Sequence, residues 1–200
     1  MYKLAKFVSS TLFLVASYLV VDTAYAQNTS SRFPGIGRDA TSAEVAAWDI
    51  DVRPDFKGLP SGSGSVSQGQ DLWEAKCAQC HGVFGESNEV FSPLIGGTTA
   101  DDVKTGNVAN LRRSDFPGRT TIMKVATVST LWDYINRAMP FDKPGLLSPN
   151  EVYAVSAFIL NLNGIVADTD VIDATTLPKV RMPNREGFVP DARPDVPVSR

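Results

Sequence analysis

The chain has 200 residues, of which 43% are hydrophobic and 20% charged, and its formal net charge is −3. This length suits one domain with extensions. The weakly negative charge, without a dense cluster of lysine and arginine, excludes nucleic acid as an expected partner.

The first 26 residues have the pattern of a secretory signal peptide. Lys3 and Lys6 supply a positive start, residues 7–21 are almost wholly apolar, and Ala24-Tyr25-Ala26 fits the small-x-small rule for cleavage. An uncleaved membrane anchor is the alternative, but the apolar run is shorter than the about 20 residues that a spanning helix needs. We therefore expect cleavage after Ala26, a periplasmic location and no membrane span in the mature chain.

Composition divides the rest of the chain into three parts. Residues 27–64 are rich in glycine, proline, serine and aspartate, which predicts an N-terminal arm with one short helix where Thr41 and Glu44 have capping-box spacing. Residues 65–164 carry the strongest apolar periodicity and predict a single core domain. Residues 165–200 are rich in proline, which opposes helices and central strands, and predict a C-terminal arm.

Three helices are predicted in the core domain, and no comparable alternating strand pattern accompanies them. The first begins near Ser67, where SQGQ has the Ser-x-x-Gln capping pattern, and runs into the cysteines. The second is STLWDYINRAM, which must end at or just before Pro140. The third begins with a Ser148 cap and Glu151 closing the capping box, and it ends at Gly164. Its apolar residues recur on one face, at Val152, Val155, Phe158, Ile159 and Leu162. The predicted fold class is mainly α.

Both cysteines and the single histidine lie in the segment CAQCH, as Cys77, Cys80 and His81. A closed zinc site needs four protein ligands, whereas the chain has three thiol or imidazole groups in all. A thioredoxin-like disulfide belongs at the start of a helix in a βαβ unit, but here the cysteines follow a helix. Cys-x-x-Cys-His is the attachment signature of c-type haem. We therefore predict one covalent haem c, held through both thiols with His81 as an axial iron ligand, and keep zinc and a redox disulfide as alternatives.

The other axial ligand must be a methionine, a weaker group or water, because the chain has one histidine. Met139 ends the second helix just before Pro140, where the chain turns sharply, and is the predicted ligand. Met123 lies in an apolar stretch and is expected to pack as a core side chain. Met182 lies in the proline-rich tail. Histidine–methionine ligation raises the reduction potential relative to histidine alone.

A ligating histidine needs its second ring nitrogen held by an acceptor. The carbonyl of Pro93, twelve residues after His81, is the candidate, and the alternative is that Pro93 only shapes a loop. Trp132 and Tyr134 are expected to pack as the wall of the haem site. Arg137 is either an exposed helix arginine or a partner for a haem propionate.

These features resemble the class I cytochrome c pattern over most of residues 65–164. The resemblance is carried by Gly69, Leu72 and Trp73 before CAQCH, Pro93-Leu94, Met139-Pro140 and a last helix with Phe158. In that family the first and last helices cross at a glycine and an aromatic residue, and Gly69 and Phe158 are the matching positions. A glycine inside a helix costs about 1 kcal/mol against alanine, which a close helix approach would explain.

A narrower resemblance covers nearly the whole mature chain. The arm GIGRDATSAEVAAWDIDVRPDFKGLP, the stretch HGVFGESNEVFSPLIGGTTADDVKTG and the stretch VSTLWDYINRAMPFDKPGLLSPNEVYAVSAFILNLNGIV look like the cytochrome subunits of bacterial Sox sulfane dehydrogenases and related sulfite dehydrogenases. The resemblance implies a periplasmic complex in which a molybdenum-cofactor subunit oxidises a sulfur compound. The cytochrome subunit takes the electrons and passes them to another cytochrome c. Some family members carry two haem domains, whereas this chain has one haem motif.

Extended proline-rich arms with spaced apolar side chains suit docking on such a partner at low ordering cost. The expected anchors are Trp48, Phe56, Leu177, Val180, Met182 and Phe188. A free-standing monohaem electron carrier is the alternative function. A catalytic haem that binds the sulfur substrate directly would need an open or cysteine-ligated iron, and both cysteines are assigned to haem attachment.

Overall fold

The structure is a computed structural model that describes residues 36–87 and 91–189. The predicted signal peptide lies outside these residues. The chain forms two compact units, which divide after Val45. In the described part of the first unit the predicted capping box is confirmed, since the Thr41 N–H donates to Glu44 Oε2 at 2.8 Å and the Glu44 N–H to Thr41 Oγ1 at 3.3 Å. Helix α1, Ser42–Trp48, begins at this cap.

The second unit is helix-rich, which confirms the mainly α fold class. Its helices are α2 Val66–Lys76, α3 Ala78–His81, α4 Ala100–Thr105, α5 Thr121–Lys124, α6 Val128–Ala138 and α7 Pro149–Leu162. Short 3₁₀ helices span Ala109–Arg112 and Leu177–Lys179. Strands β1, Ser63–Ser65, and β2, Val171–Asp173, pair antiparallel with Gly64 opposite Ile172. Within the described residues, no helix is both long and apolar enough to span a membrane.

The start of α2 differs from its prediction by two residues. The capping box joins Ser65 to Gln68, not Ser67 to Gln70: the Gln68 N–H donates to Ser65 Oγ, and the Ser65 N–H donates to Gln68 Oε1. The segment contains Ser-x-x-Gln in both registers. The earlier register is used because Ser65 ends strand β1 and already has the extended backbone of an N-cap residue.

Helix α7 is the centre of the core. Its predicted cap is confirmed, with a Ser148 N-cap, Pro149 in the first turn and Glu151 closing the capping box, and Gly164 lies just beyond its end with φ +67°. The predicted single apolar face is too narrow, because every residue from Val152 to Leu160 is buried. A helix buried on all sides needs neighbours all round. Helices α2 and α6 and both strands pack against it.

Helices α2 and α7 cross at Gly69, as predicted. A Cβ added at Gly69 would clash with the backbone carbonyl oxygen of Ala154 and would lie 2.8 Å from the Cβ of Phe158. The absence of a side chain therefore allows the two helices to approach backbone to backbone. This crossing fixes the end of α2, and with it the start of the CAQCH segment.

The N-terminal arm is tied to the core by buried polar groups after residue 50. The Val52 N–H donates to Asp133 Oδ1 at 2.8 Å, and the Tyr153 hydroxyl donates to the Pro60 carbonyl oxygen at 2.8 Å. Burial raises the pKa of Tyr153 to about 12, so its hydroxyl stays a neutral donor at physiological pH. Phe56, an expected partner anchor, is half-buried against this core instead.

The C-terminal arm also packs on its own domain as far as residue 187. Leu177 and Met182 are 0% and 1% exposed, and Val180 is half-buried, so three expected partner anchors belong to the core. The Arg185 guanidinium donates to the carbonyl oxygens of Val103 and Lys104, at 2.6 and 2.9 Å, near the end of α4. These contacts come from residues far apart in sequence, which composition alone does not reveal. Phe188 is 68% exposed.

We expect Leu177→Ala to destabilise the isolated chain by about 2–5 kcal/mol, because truncating a fully buried leucine leaves a cavity. Phe188→Ala, at an exposed position in the same arm, should change stability by no more than about 0.5 kcal/mol. Urea unfolding without any partner measures both. Equal, negligible effects would mean that the arm does not pack on this domain.

An ion pair joins α2 to α7 beside the crossing. Lys76 Nζ lies 2.9 Å from Glu151 Oε1, and both side chains are about one-third exposed. The hydrogen bond from Lys76 and the N–H of Ser148 lower the pKa of Glu151 from 4.5 to about 2. A lowered carboxyl pKa stabilises the fold above the unfolded-state value, and this contribution is lost as the pH falls towards the folded-state value.

Glu151→Gln should therefore cost about 1 kcal/mol at neutral pH and flatten the loss of stability between about pH 4.5 and pH 2. The control is Glu74→Gln, on the exposed side of α2. Unfolding curves across this pH range make the comparison. An unchanged acid slope in Glu151→Gln would contradict the assignment.

Candidate functional site

The CAQCH segment forms a tight turn at the end of α2. Cys77 is the C-cap of α2, and residues 78–81 form the single-turn helix α3. The N–H groups of Cys80 and His81 donate to the Cys77 carbonyl oxygen at 3.1 and 3.0 Å. Both cysteines are half-buried free thiols. Two thiols three residues apart on one turn, followed directly by an imidazole, are thus held as a single rigid group.

Burial determines the protonation of this group. It raises the pKa of the Cys77 thiol to about 11, so the thiol is protonated at neutral pH. Catalytic thiol–disulfide exchange needs the opposite, a lowered thiol pKa. Burial also lowers the pKa of His81, which favours the neutral imidazole that metals bind. The described residues contain no group of three or more histidine, cysteine, aspartate or glutamate side chains placed to hold a metal ion.

The hydrogen-bond acceptor expected for the second ring nitrogen of His81 is not observed among the described residues. His81 Nδ1 is buried and has no hydrogen-bond partner among the described residues. The Pro93 carbonyl oxygen accepts from the Thr121 N–H at 2.9 Å and so ties its loop to helix α5. A carbonyl oxygen has a second lone pair. Support of His81 by Pro93 therefore stays a prediction, and the observed contact is the loop-shaping alternative.

Met139 lies where the sequence places it. Helix α6 ends at Ala138, and Met139 is its C-cap with extended backbone, φ −120° and ψ 147°, as expected ahead of Pro140. Its half-buried side chain packs at the margin of the core. Met123 and Met182 are 0% and 1% exposed, so both are packed core side chains. Of these three methionines, Met139 alone is partly exposed and lies at the end of a helix.

Helix α6 also carries a buried polar atom that has no hydrogen-bond partner in the described part of the chain. Trp132 is fully buried, and its indole Nε1–H has no partner among the described residues. A buried indole N–H normally finds an acceptor. Tyr134, expected beside it in the wall of the haem site, is 59% exposed, and its packing against a haem stays a prediction. Its position on the helix, two residues after Trp132, points it away from the core.

Arg137 is the exposed helix arginine of the two alternatives. It makes an i, i+4 ion pair with Asp133, at 2.5–3.0 Å, and Asp133 in turn accepts from the Val52 N–H. Sequence reasoning did not identify Asp133 as this junction. The available signal was the i, i+4 spacing of an aspartate and an arginine on one predicted helix.

Sequence reasoning also missed a contact at the end of the motif. The Trp73 indole Nε1–H donates to the Gly82 carbonyl oxygen at 2.9 Å. The centroid of the His81 ring lies 5.8 Å from that of the Trp73 ring and 5.7 Å from that of the Phe91 ring. The signal was a buried tryptophan one helical turn before Cys77, whose N–H needed an acceptor.

Comparisons with known proteins agree with this geometry. Residues 64–159 match the family model described as cytochrome c oxidase, cbb3-type, subunit III. The chain is 30% identical over 63 residues to cytochrome c-554(547) of Halothiobacillus neapolitanus, in an alignment that covers 28% of this chain and 68% of that protein. It also matches a chain in the crystal structure of the sulfane dehydrogenase SoxCD from Paracoccus pantotrophus. That match has a TM-score of 0.67 and 37% identity and covers 82% of this chain and 75% of that one.

The fold and the CAQCH site thus define a protein of the cytochrome c family, and the chain belongs to that family. Within it, the chain is a relative of the SoxCD sulfane dehydrogenase chain. Membership implies haem c as the cofactor. The residues present fit such a group: free thiols on one turn, a neutral imidazole beside them, a methionine at the end of α6 and the unsatisfied indole N–H of Trp132.

Proposed function

We propose that this chain is the haem c electron-transfer subunit of a periplasmic sulfur dehydrogenase. It accepts electrons from a molybdenum-cofactor subunit that oxidises a sulfane or sulfite substrate, and it passes them to another cytochrome c. The observation that carries the proposal is the similarity to the SoxCD chain over 82% of this chain, because residues 65–164 make up only half of it. The likeness therefore includes arm residues as well as the haem domain.

The roles of the site residues follow from their chemistry. Cys77 and Cys80 would hold the haem through two thioether bonds, and His81 and Met139 would supply an imidazole nitrogen and a thioether sulfur to its iron. The haem supplies one-electron redox chemistry when it is bound. The Nε1–H of Trp132, which has no partner among the described residues, would be able to donate to a haem carboxylate. With His81 and Met139 as its ligands, the iron would have no position open to substrate, and substrate oxidation would belong to the partner subunit.

The exposed side chains of the arms suggest which surface the partner subunit would contact. Four of the six expected anchors pack internally, whereas Trp48 and Phe188 stay 86% and 68% exposed. Ile50, two residues after Trp48, is 60% exposed as well. Large exposed aromatic side chains on an anchored arm are typical of interface residues. Trp48 and Ile50 lie just before Val52, which is tied to Asp133 on the helix that leads to Met139. We propose that the partner subunit covers this end of the N-terminal arm.

Trp48→Ala should weaken capture of the molybdenum subunit by at least about tenfold, because a truncated tryptophan anchor typically costs 2 kcal/mol or more. The control is Val171→Ala, on strand β2, where the side chain is 52% exposed. Co-purification from cells that make both subunits, with molybdenum and iron analysis, measures the effect. Full capture by Trp48→Ala would contradict this interface, and no capture by the wild-type chain would contradict the partner itself.

A free-standing monohaem carrier is the second candidate. The observation that favours it is the similarity to cytochrome c-554(547), over 68% of a protein whose name states a cytochrome and no dehydrogenase. This function predicts a chain that purifies alone from cells that also make the molybdenum subunit. The same co-purification therefore separates the two functions.

A further inference from the structure

Trp73 contacts both the backbone and the ring of the residues that end the CAQCH motif. Its indole Nε1–H donates to the Gly82 carbonyl oxygen at 2.9 Å. Its ring centroid lies 5.8 Å from that of His81, with the two planes 36° apart. The Trp73 side chain is 1% exposed, so its N–H is shielded from water. Trp73 thus restrains both the ring of His81, the last residue of α3, and the Gly82 peptide that follows it.

Both residues of this hydrogen bond, Trp73 and Gly82, are held in place by the fold. Trp73 lies on α2, one turn after the close approach of Gly69 to α7, and its ring also packs at 5.8 Å against Phe158. Gly82 is the C-cap of α3, and its left-handed φ of +78° turns the chain away from the helix. Because a C-cap carbonyl oxygen has no donor within its helix, it needs a donor from elsewhere, and the Trp73 N–H provides one.

We propose that Trp73 is a positioning residue that sets the orientation of the His81 imidazole towards the haem iron. The inference rests on the proposed function, in which His81 is an axial ligand. The bond to Gly82 holds the backbone at His81, and the indole face limits rotation of the imidazole about its Cβ–Cγ bond. A phenylalanine at this position would keep much of the packing and lose the N–H. The outer interactions of a ligand tune the metal that it binds, so the effect should be visible at the haem.

The test uses Trp73→Phe in the haem-loaded protein. We expect a changed spread of the haem methyl signals in the proton NMR spectrum of the oxidised protein, because this spread follows axial-ligand orientation, together with a shifted reduction potential. Ile172→Ala, at a buried position on β2, is the control for lost stability alone. It should lower the melting temperature and leave both haem signals unchanged. Trp73→Phe with wild-type methyl signals and potential would overturn the inference.

A measurement on the wild-type chain covers the case in which Trp73→Phe does not accumulate. The Trp73 indole N–H should exchange with deuterium at least about 100-fold more slowly than that of Trp48, which is 86% exposed. Comparable exchange rates would overturn the proposed contact. The failures are distinguishable: a wild-type protein without a low-spin haem ligated by His81 contradicts the proposed function, whereas unchanged signals in Trp73→Phe contradict only the role of Trp73.

Discussion

Gly69→Ala should destabilise the domain by about 3 kcal/mol, the upper end of the usual cost of overpacking. The added methyl group would clash with the Ala154 carbonyl oxygen and lie 2.6 Å from its carbonyl carbon. These are backbone atoms of the central helix, so no side-chain rotation relieves the clash. The two helices must separate, and this displaces the end of α2 from which the CAQCH turn starts.

Thermal or urea unfolding of the purified holoprotein measures this cost. Gly118→Ala is the matched control, because a Cβ at Gly118 would meet no atom within 4 Å. The control should unfold like the wild type, or slightly later, since alanine restricts the unfolded chain more than glycine does. If both variants unfold together, α2 and α7 do not meet at Gly69.

Met139→Leu should convert a low-spin, six-coordinate haem into one that binds carbon monoxide in the reduced state. Leucine keeps the volume of methionine and lacks the sulfur, so it removes the proposed ligand with little loss of packing. The reduction potential should fall, because the methionine sulfur stabilises the reduced iron. Electron acceptance from a partner would slow as a consequence.

Met123→Leu is the control for this variant. Met123 is fully buried and packs beside Gly97 and Phe116, so the substitution should leave the spectrum unchanged. Visible spectra of the reduced proteins, with and without carbon monoxide, make the comparison. A low-spin spectrum in Met139→Leu and a high-spin one in Met123→Leu would reassign the ligand.

The parts of the fold that the sequence predicts well are those governed by local signals. The start of α7 at Ser148, its end before Gly164 and the end of α6 before Pro140 each depend on contacts within a few residues. The start of α2 was misplaced because two capping registers overlap, and the choice between them depends on strand β1. That strand exists through its pairing with β2, more than 100 residues later.

The C-terminal arm shows the limit of composition. Its prolines oppose regular structure, and its scattered apolar residues fit either a partner or the chain's own core. Leu177 and Met182 belong to the same buried cluster as α7: the 3₁₀ helix that carries Leu177 packs against α6, and strand β2 of the same arm packs against α7, which is buried on all sides. The all-round hydrophobicity of this helix was readable in the sequence and pointed to an internal use of the arm.

The candidate site also has one part that local sequence signals predict and another that depends on contacts in the folded chain. Cys77, Cys80 and His81 form a contiguous motif, so sequence alone proposes them as haem-binding residues, and Met139 is proposed from one local helix end. The contact of Trp73 with Gly82 needed coordinates, because the acceptor is a backbone carbonyl whose direction no residue type encodes. The unsatisfied Nε1–H of Trp132 likewise becomes visible only when its surroundings are known.

Reduction of the haem by the sulfur substrate tests the central proposal most directly. The visible spectrum of the purified complex is followed in real time after substrate is added, with the cytochrome chain alone as the comparison. We predict that the haem becomes reduced only when the molybdenum subunit and its substrate are both present. Equally fast reduction of the isolated chain, or substrate oxidation by the complex with the haem left oxidised, would contradict the account.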